Sequence, residues 1–172
     1  AAEDHAQSYA ENCVYAHSVS PFGENIFAGT GDRSNDEVGL MALSARLWAA
    51  EVEDYTITPT GDSCNPGKIC GHYTQMVWDS PHERRTTSQV GCGYAVCNVN
   101  SPFGSRFPQW TIVVCNYEGP GNWAGLLPYE VADGNPPCDP TCPAGVCGTL
   151  TLCGQQVDCG CCNPFLKTLD RF

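Results

Sequence analysis

Histidine is the side chain best suited to bind a metal ion or move a proton near neutral pH, and His72 is the one whose surroundings demand explanation. It lies in the string Cys-Gly-His-Tyr-Thr-Gln-Met-Val-Trp over residues 70–78, directly before an aromatic and β-branched run. On such a segment a core histidine bonded to backbone is the commoner role, so a chemical role depends on which other groups join it. Ser18 follows His17, but adjacent residues rarely make a nucleophile and its base, and no Gly-x-Ser-x-Gly elbow occurs. There is no HExxH or CxxC…CxxC arrangement of the kind that builds a zinc protease or a structural zinc site.

The elements that must position such groups follow from periodicity. Ala2, Ala6, Tyr9, Ala10 and Cys13 recur at helical spacing, with Glu3, Asp4, Gln7 and Glu11 off the stripe, and predict a helix over 2–12. Pro21, Gly23, Gly29 and Gly31 mark 17–33 as a loop with a short extended piece at 25–28. Ser34 to Glu37 fit a capping box with Ser34 as N-cap. The helix beyond carries the stripe Val38, Met41, Ala42, Ala45, Trp48, Ala49 and Val52. Glu51 lies one turn from Leu47 and Trp48 at that stripe's edge, where a carboxylate reaches the rim of a core; a solvated glutamate is the commoner case. Residues 55–67 read as loop, and Cys64 and Cys70 are near enough in sequence to close a small ring. In a strand, His72, Thr74 and Met76 would share one face; a short helical turn is also open. Residues 79–89 are a polar excursion with a basic pair, read as a solvated loop. Residues 89–98 and 109–117 are β-rich and predict antiparallel pairing across a long hairpin loop.

The composition narrows the class. A chain of 172 residues suggests one ordinary domain with an appendage. Thirteen cysteines point to a secreted, extracellular, disulfide-stapled protein, and with no leader-like segment any signal peptide is expected to have been removed. No apolar run approaches the ~20 residues of a transmembrane segment. A net charge of −11 argues against nucleic acid or an anionic membrane as partner. No Asn-x-Ser/Thr sequon occurs. Beyond residue 129 the character changes: 130–137 is a linker, 138–162 packs seven cysteines among few large apolar side chains, and 163–172 is a terminal tail. A segment without a core needs crosslinks. Six cysteines before and seven after give three bridges in each part and one thiol over.

The string around His72 resembles the Gly-His-Tyr-Thr-Gln-x-Val-Trp signature of the CAP superfamily, the cysteine-rich secretory, antigen five and pathogenesis-related class 1 proteins, whose shared domain is also called SCP. Its other landmarks have counterparts in the same order: Cys13 to Ser18, Gly23 to Ile26, Trp48 to Glu51, Val90 to Tyr94, Val113 to Tyr117, and Gly121 to Trp123. The resemblance covers residues 2–129. It implies an α+β fold, a three-layer α/β/α sandwich with a small antiparallel sheet, over 1–129, with the cysteine-rich module outside it. The family's first helix, with its His-Asn-x-x-Arg-like start, has no counterpart here. The resemblance also implies disulfides Cys13–Cys97, Cys64–Cys70 and Cys92–Cys115.

His17, Glu24, Glu51 and His72 align with the two histidines and two glutamates lining the family's central cleft. Two neutral imidazoles can bind a divalent metal such as zinc, with the carboxylates orienting them, binding directly or holding a water. The leading expectation is a secreted, non-catalytic binding or defence protein, engaging a protein, glycan or lipid at a cell surface. A metal-dependent hydrolase, with Glu24 or Glu51 as general base, is the alternative; no oxyanion or substrate-clamping element accompanies it. A sterol or lipid carrier ranks third, because the loop 79–89 lacks any aromatic residue to form an apolar lid.

Overall fold

The computed structural model describes residues 1–31, 36–58, 60–79, 86–130, 149–152 and 155–158. Two units separate, 1–130 and 131–172. In chain order the first holds α1 (Ala2–Glu11), β1 (Gly23–Thr30), α2 (Glu37–Ala50), a 3-10 turn (Glu51–Asp54), β2 (Tyr55–Thr58), β3 (Gly61–Cys64), α3 (Gly71–Met76), β4 (Gln89–Cys97) and β5 (Trp110–Glu118). Helices thus combine with small antiparallel sheets. β5 is the central strand, antiparallel to β1 on one side and β4 on the other. All its residues from Trp110 to Tyr117 are buried, which partly masks the strand's alternation in the sequence.

The pleat sends alternate side chains of β5 into two apolar clusters. Trp110, Ile112 and Val114 pack with Ala6, Ala10, Cys13, Ile26 and Cys97. Val113, Cys115 and Tyr117 pack with Leu40 and Trp48 of α2. The stripe predicted for α1 is the buried one, with Ala2, Ala6 and Ala10 at its centre. Glycine is required where β4 meets α1, because a Cβ at Gly91 or Gly93 would run into the α1 backbone at Glu3 or Gln7. Just past α1, Cys13 takes a left-handed conformation, φ 54°, and its N–H bonds the carbonyl of Ala10. Glycine usually fills this position; here the cysteine is crosslinked to Cys97 at the end of β4. Cys64–Cys70 and Cys92–Cys115 are also formed, so all three pairings implied by the resemblance are present.

Several expectations are corrected. β1 runs the whole of Gly23–Thr30 rather than 25–28, because β5 offers a partner for every residue of it. Ser34 and Asn35 lie outside the described residues; the N-cap of α2 is Asp36, with no side-chain capping hydrogen bond. The α2 stripe is wrong by part of a turn. Leu40, Ser44 and Trp48 are buried, whereas Val38 is 82% and Val52 46% exposed. Apolar residues surround this helix, so periodicity cannot select the face, and packing on β5 does. The segment read as loop over 55–67 contains the β2–β3 ribbon, Tyr55 opposite Cys64, as β-branched alternation across a tight turn allows. Residues 71–76 are helical, with the Thr74 N–H donating to the Cys70 carbonyl at 3.0 Å.

In the second unit, Thr149–Leu152 (β6) and Gln155–Asp158 (β7) pair antiparallel. The seven tail cysteines and the basic pair of the 79–89 loop lie outside the described residues.

Candidate functional site

His17 follows the left-handed turn after α1, and Glu24 is the second residue of β1. His17 Nδ1 lies 2.9 Å from Glu24 Oε1. The same carboxylate accepts the Ser18 N–H at 2.8 Å, the Ser18 hydroxyl at 2.6 Å and the Asn116 amide at 3.2 Å. Burial pushes the Glu24 carboxyl up, but these donors from Ser18, His17 and Asn116 more than offset it and hold it below the ordinary carboxylate range. Four donors occupy its roughly four lone-pair sites. Ser18, weighed above as a nucleophile, is thereby committed as a donor to this carboxylate. Tyr9 of α1 donates to the Ala16 carbonyl at 2.9 Å; burial first, and the negative charge of Glu24 second, raise its phenol above the usual range.

Glu51 closes α2 and opens the 3-10 turn. Its carboxylate is 16% exposed, so it is neither solvated nor idle. Oε2 accepts the N–H groups of His72 and Tyr73, both at 3.0 Å, and Oε1 meets His72 Nδ1 at 2.6 Å. A carboxylate from another helix thus satisfies amides in the first turn of α3, where the N-cap Cys70 supplies no side-chain cap. The His72 ring stacks on Trp48, centroids 5.8 Å apart and planes at 17°. Asn25 donates to the His72 carbonyl and to the Tyr117 hydroxyl, each at 3.1 Å. Burial pushes the Tyr117 phenol up to about 12, partly countered by the Asn25 bond. Asn122, itself left-handed at φ 57°, accepts from Thr74 and donates to the Gly71 carbonyl. Gln75, 2% exposed, accepts the Gly121 N–H, and a Cβ at Gly23 would collide with it.

The four aligned residues form two carboxylate–histidine pairs. Consecutive residues of β1 touch both: Glu24 accepts from His17 Nδ1, and Asn25 donates to the His72 backbone carbonyl. Among the described residues, no group of three or more His, Cys, Asp or Glu could hold a metal ion. In each pair an ionised carboxylate accepts from Nδ1, which places the proton there and leaves Nε2 with its lone pair when the ring is neutral. Among the described residues each histidine thus stands with one carboxylate, His17 with Glu24 and His72 with Glu51.

The first unit is thus a mixed helix and sheet domain tied by three disulfides and carrying two carboxylate–histidine pairs. Residues 1–117 match the family described as CAP, cysteine-rich secretory protein family, and the chain belongs to it. It is 39% identical over 129 residues to a pathogenesis-related protein of PR-1 type from Sambucus nigra, covering 74% of this chain and 64% of that one. It is 37% identical over 150 residues to peptidase inhibitor 16 of Homo sapiens, 86% of this chain and 28% of the other. The solved structure of NaASP2 with Zn2+ superposes with a TM-score of 0.57 at 28% identity, over 76% of this chain and 63% of that one. The chain thus spans less than two thirds of these relatives' lengths. No helix among the described residues is long and apolar enough to cross a membrane.

Proposed function

We propose that this chain is a secreted, non-catalytic binding module of the CAP type, acting in defence or recognition at a cell surface, whose histidines His17 and His72 take up a divalent cation such as zinc. The observation that carries the metal reading is the shared arrangement of the two pairs, in which Glu24 and Glu51 each engage Nδ1 and leave Nε2 available. The solved relative with zinc supports it. A bound divalent ion would supply a fixed positive charge to which an anionic or carbonyl oxygen of a partner could bind. Glu24 and Glu51 orient the rings. Secretion is supported by the three disulfides, which persist in oxidising compartments, and by the family's description. The reading includes a three-layer arrangement, supported by the two apolar clusters on either side of β5, and a separate cysteine-rich module over 138–162.

Hydrolysis would rest on Glu51 alone. Its three donors leave a lone pair on Oε1, whereas Glu24 has none to spare for a proton. Chelator-sensitive cleavage that disappears in Glu51→Gln would establish that alternative. The main reading is tested by calorimetric zinc titration of the intact chain. Saturable uptake is expected, weakening on acidification because protons and the ion compete for the same imidazole nitrogens, and lost in the His17→Ala, His72→Ala double variant. Unchanged zinc affinity in that double variant would sink it.

A further inference from the structure

His5, in the second turn of α1, was given no role by the sequence reading. Its Nδ1 lies 2.8 Å from Asn116 Oδ1, and Asn116, fully buried, donates its amide to Glu24 Oε2. Glu24 in turn accepts from His17 Nδ1. A continuous chain of hydrogen bonds therefore runs from His5 through Asn116 and Glu24 to His17. Its directions are determined from the ionised end. A carboxylate only accepts, so Asn116 must present its NH2 to Glu24; turning the amide over would set oxygen against oxygen in a buried site. That orientation aims Oδ1 at His5, and His5 must donate from Nδ1.

The His5 ring has little freedom to do otherwise. It stacks on Tyr9, planes 3° apart with centroids at 6.3 Å, and meets the Phe22 ring at 5.5 Å and 55°. Tyr9 holds the Ala16 carbonyl one residue before His17, and Phe22 lies just before β1. One face of α1 thus holds the segment bearing His17 at Ala16 and at Phe22, and reaches Glu24 through Asn116.

We infer that His5 is a positioning residue for His17, acting through Asn116 to set the Glu24 carboxylate and so to keep the His17 proton on Nδ1 and its Nε2 available. This deepens the metal-binding reading above, yet its first consequence is measurable without any metal. Long-range 1H–15N correlation spectra of the disulfide-intact chain at neutral pH should show both His5 and His17 as Nδ1-protonated tautomers. In His5→Leu the His17 ring should become a mixture of tautomers. His5→Asn, whose amide nitrogen can stand where Nδ1 stood, should restore the single form.

Zinc titration supplies the second readout: affinity about tenfold weaker in His5→Leu, as loss of an outer-shell partner typically produces, and within about twofold of the original in His5→Asn. An Nε2-protonated His5 in the unmodified chain would overturn the inference, whether or not the leucine variant folds, and so would an unaltered His17 tautomer in His5→Leu. Absence of zinc uptake by the unmodified chain would overturn the metal reading and leave the tautomer result to decide the role of His5.

Discussion

In the pair formed by Glu24 and His17 the carboxylate is the buried partner, 5% exposed, and the imidazole is 69% exposed. In the pair formed by Glu51 and His72 both sides are partly covered, at 16% and 26%, and the ring rests on Trp48. The two pairs make the same hydrogen bond for different structural ends. Glu24 is the hub of a buried polar network, so its cost of desolvation must be met by the donors around it. Glu51 is a helix cap first and a histidine partner second.

Each pair also has its own crosslink, and breaking these should give the widest separation. Cys13–Cys97 spans 84 residues and anchors the turn before His17; Cys64–Cys70 spans 6 and ends at the N-cap of α3. By loop-closure entropy the first contributes roughly 4–5 kcal/mol and the second about 2 kcal/mol. Urea unfolding of the two paired cysteine-to-alanine variants should reproduce that order, and equal losses would refute loop length as its cause.

A smaller contrast is expected between the carboxylates. Glu24→Ala strands the Asn116 amide and both Ser18 donors in a mostly buried site and should cost ~3–4 kcal/mol. Glu51→Ala leaves two amides of α3 without their acceptor and should cost ~2–3 kcal/mol. Chemical denaturation measures both; a larger loss for Glu51 would reverse the hub and cap roles assigned here. Protection of the α3 amides against hydrogen exchange should fall in Glu51→Ala and persist in Glu24→Ala.

The smallest effect lies in pH. The folded state holds Glu24 below the ordinary carboxylate range, so its contribution is fully present above the unfolded-state value of about 4.3 and is lost as pH falls through the lowered folded-state value. The penalty of Glu24→Gln, measured by denaturation across this window, should therefore be larger at pH 6 than at pH 3. A penalty independent of pH would mean that the network does not depend on the charge.

Much of the architecture was legible because it is written locally. The alanine stripe of α1 needs only helical spacing, and the late β-rich segments pair as expected because both are long and bounded by turn residues. The α2 face was misread because Val38, Leu40, Ala42 and Leu47 offer no single apolar side; burial by β5 had to choose. The capping of α3 was invisible for a different reason. Its acceptor, Glu51, stands 21 residues away, and no local rule links them.

From the sequence alone came the candidate residues and, through family resemblance, the pairing of six of the thirteen cysteines. Its ordered landmarks identified His17, Glu24, Glu51 and His72 by family resemblance, and the same resemblance implied the three bridges found. Only the tertiary structure decided how those four residues are divided, into two pairs seated on Glu24 and Asn25 of β1, and which neighbours complete them. His5 and Asn116 lie 111 residues apart, and nothing in either's local setting marks it as a partner of the other. A hydrogen bond requires donor and acceptor within about 3 Å, and that proximity is created here by α1 packing on the sheet through Gly91 and Gly93, a contact that local periodicity cannot encode.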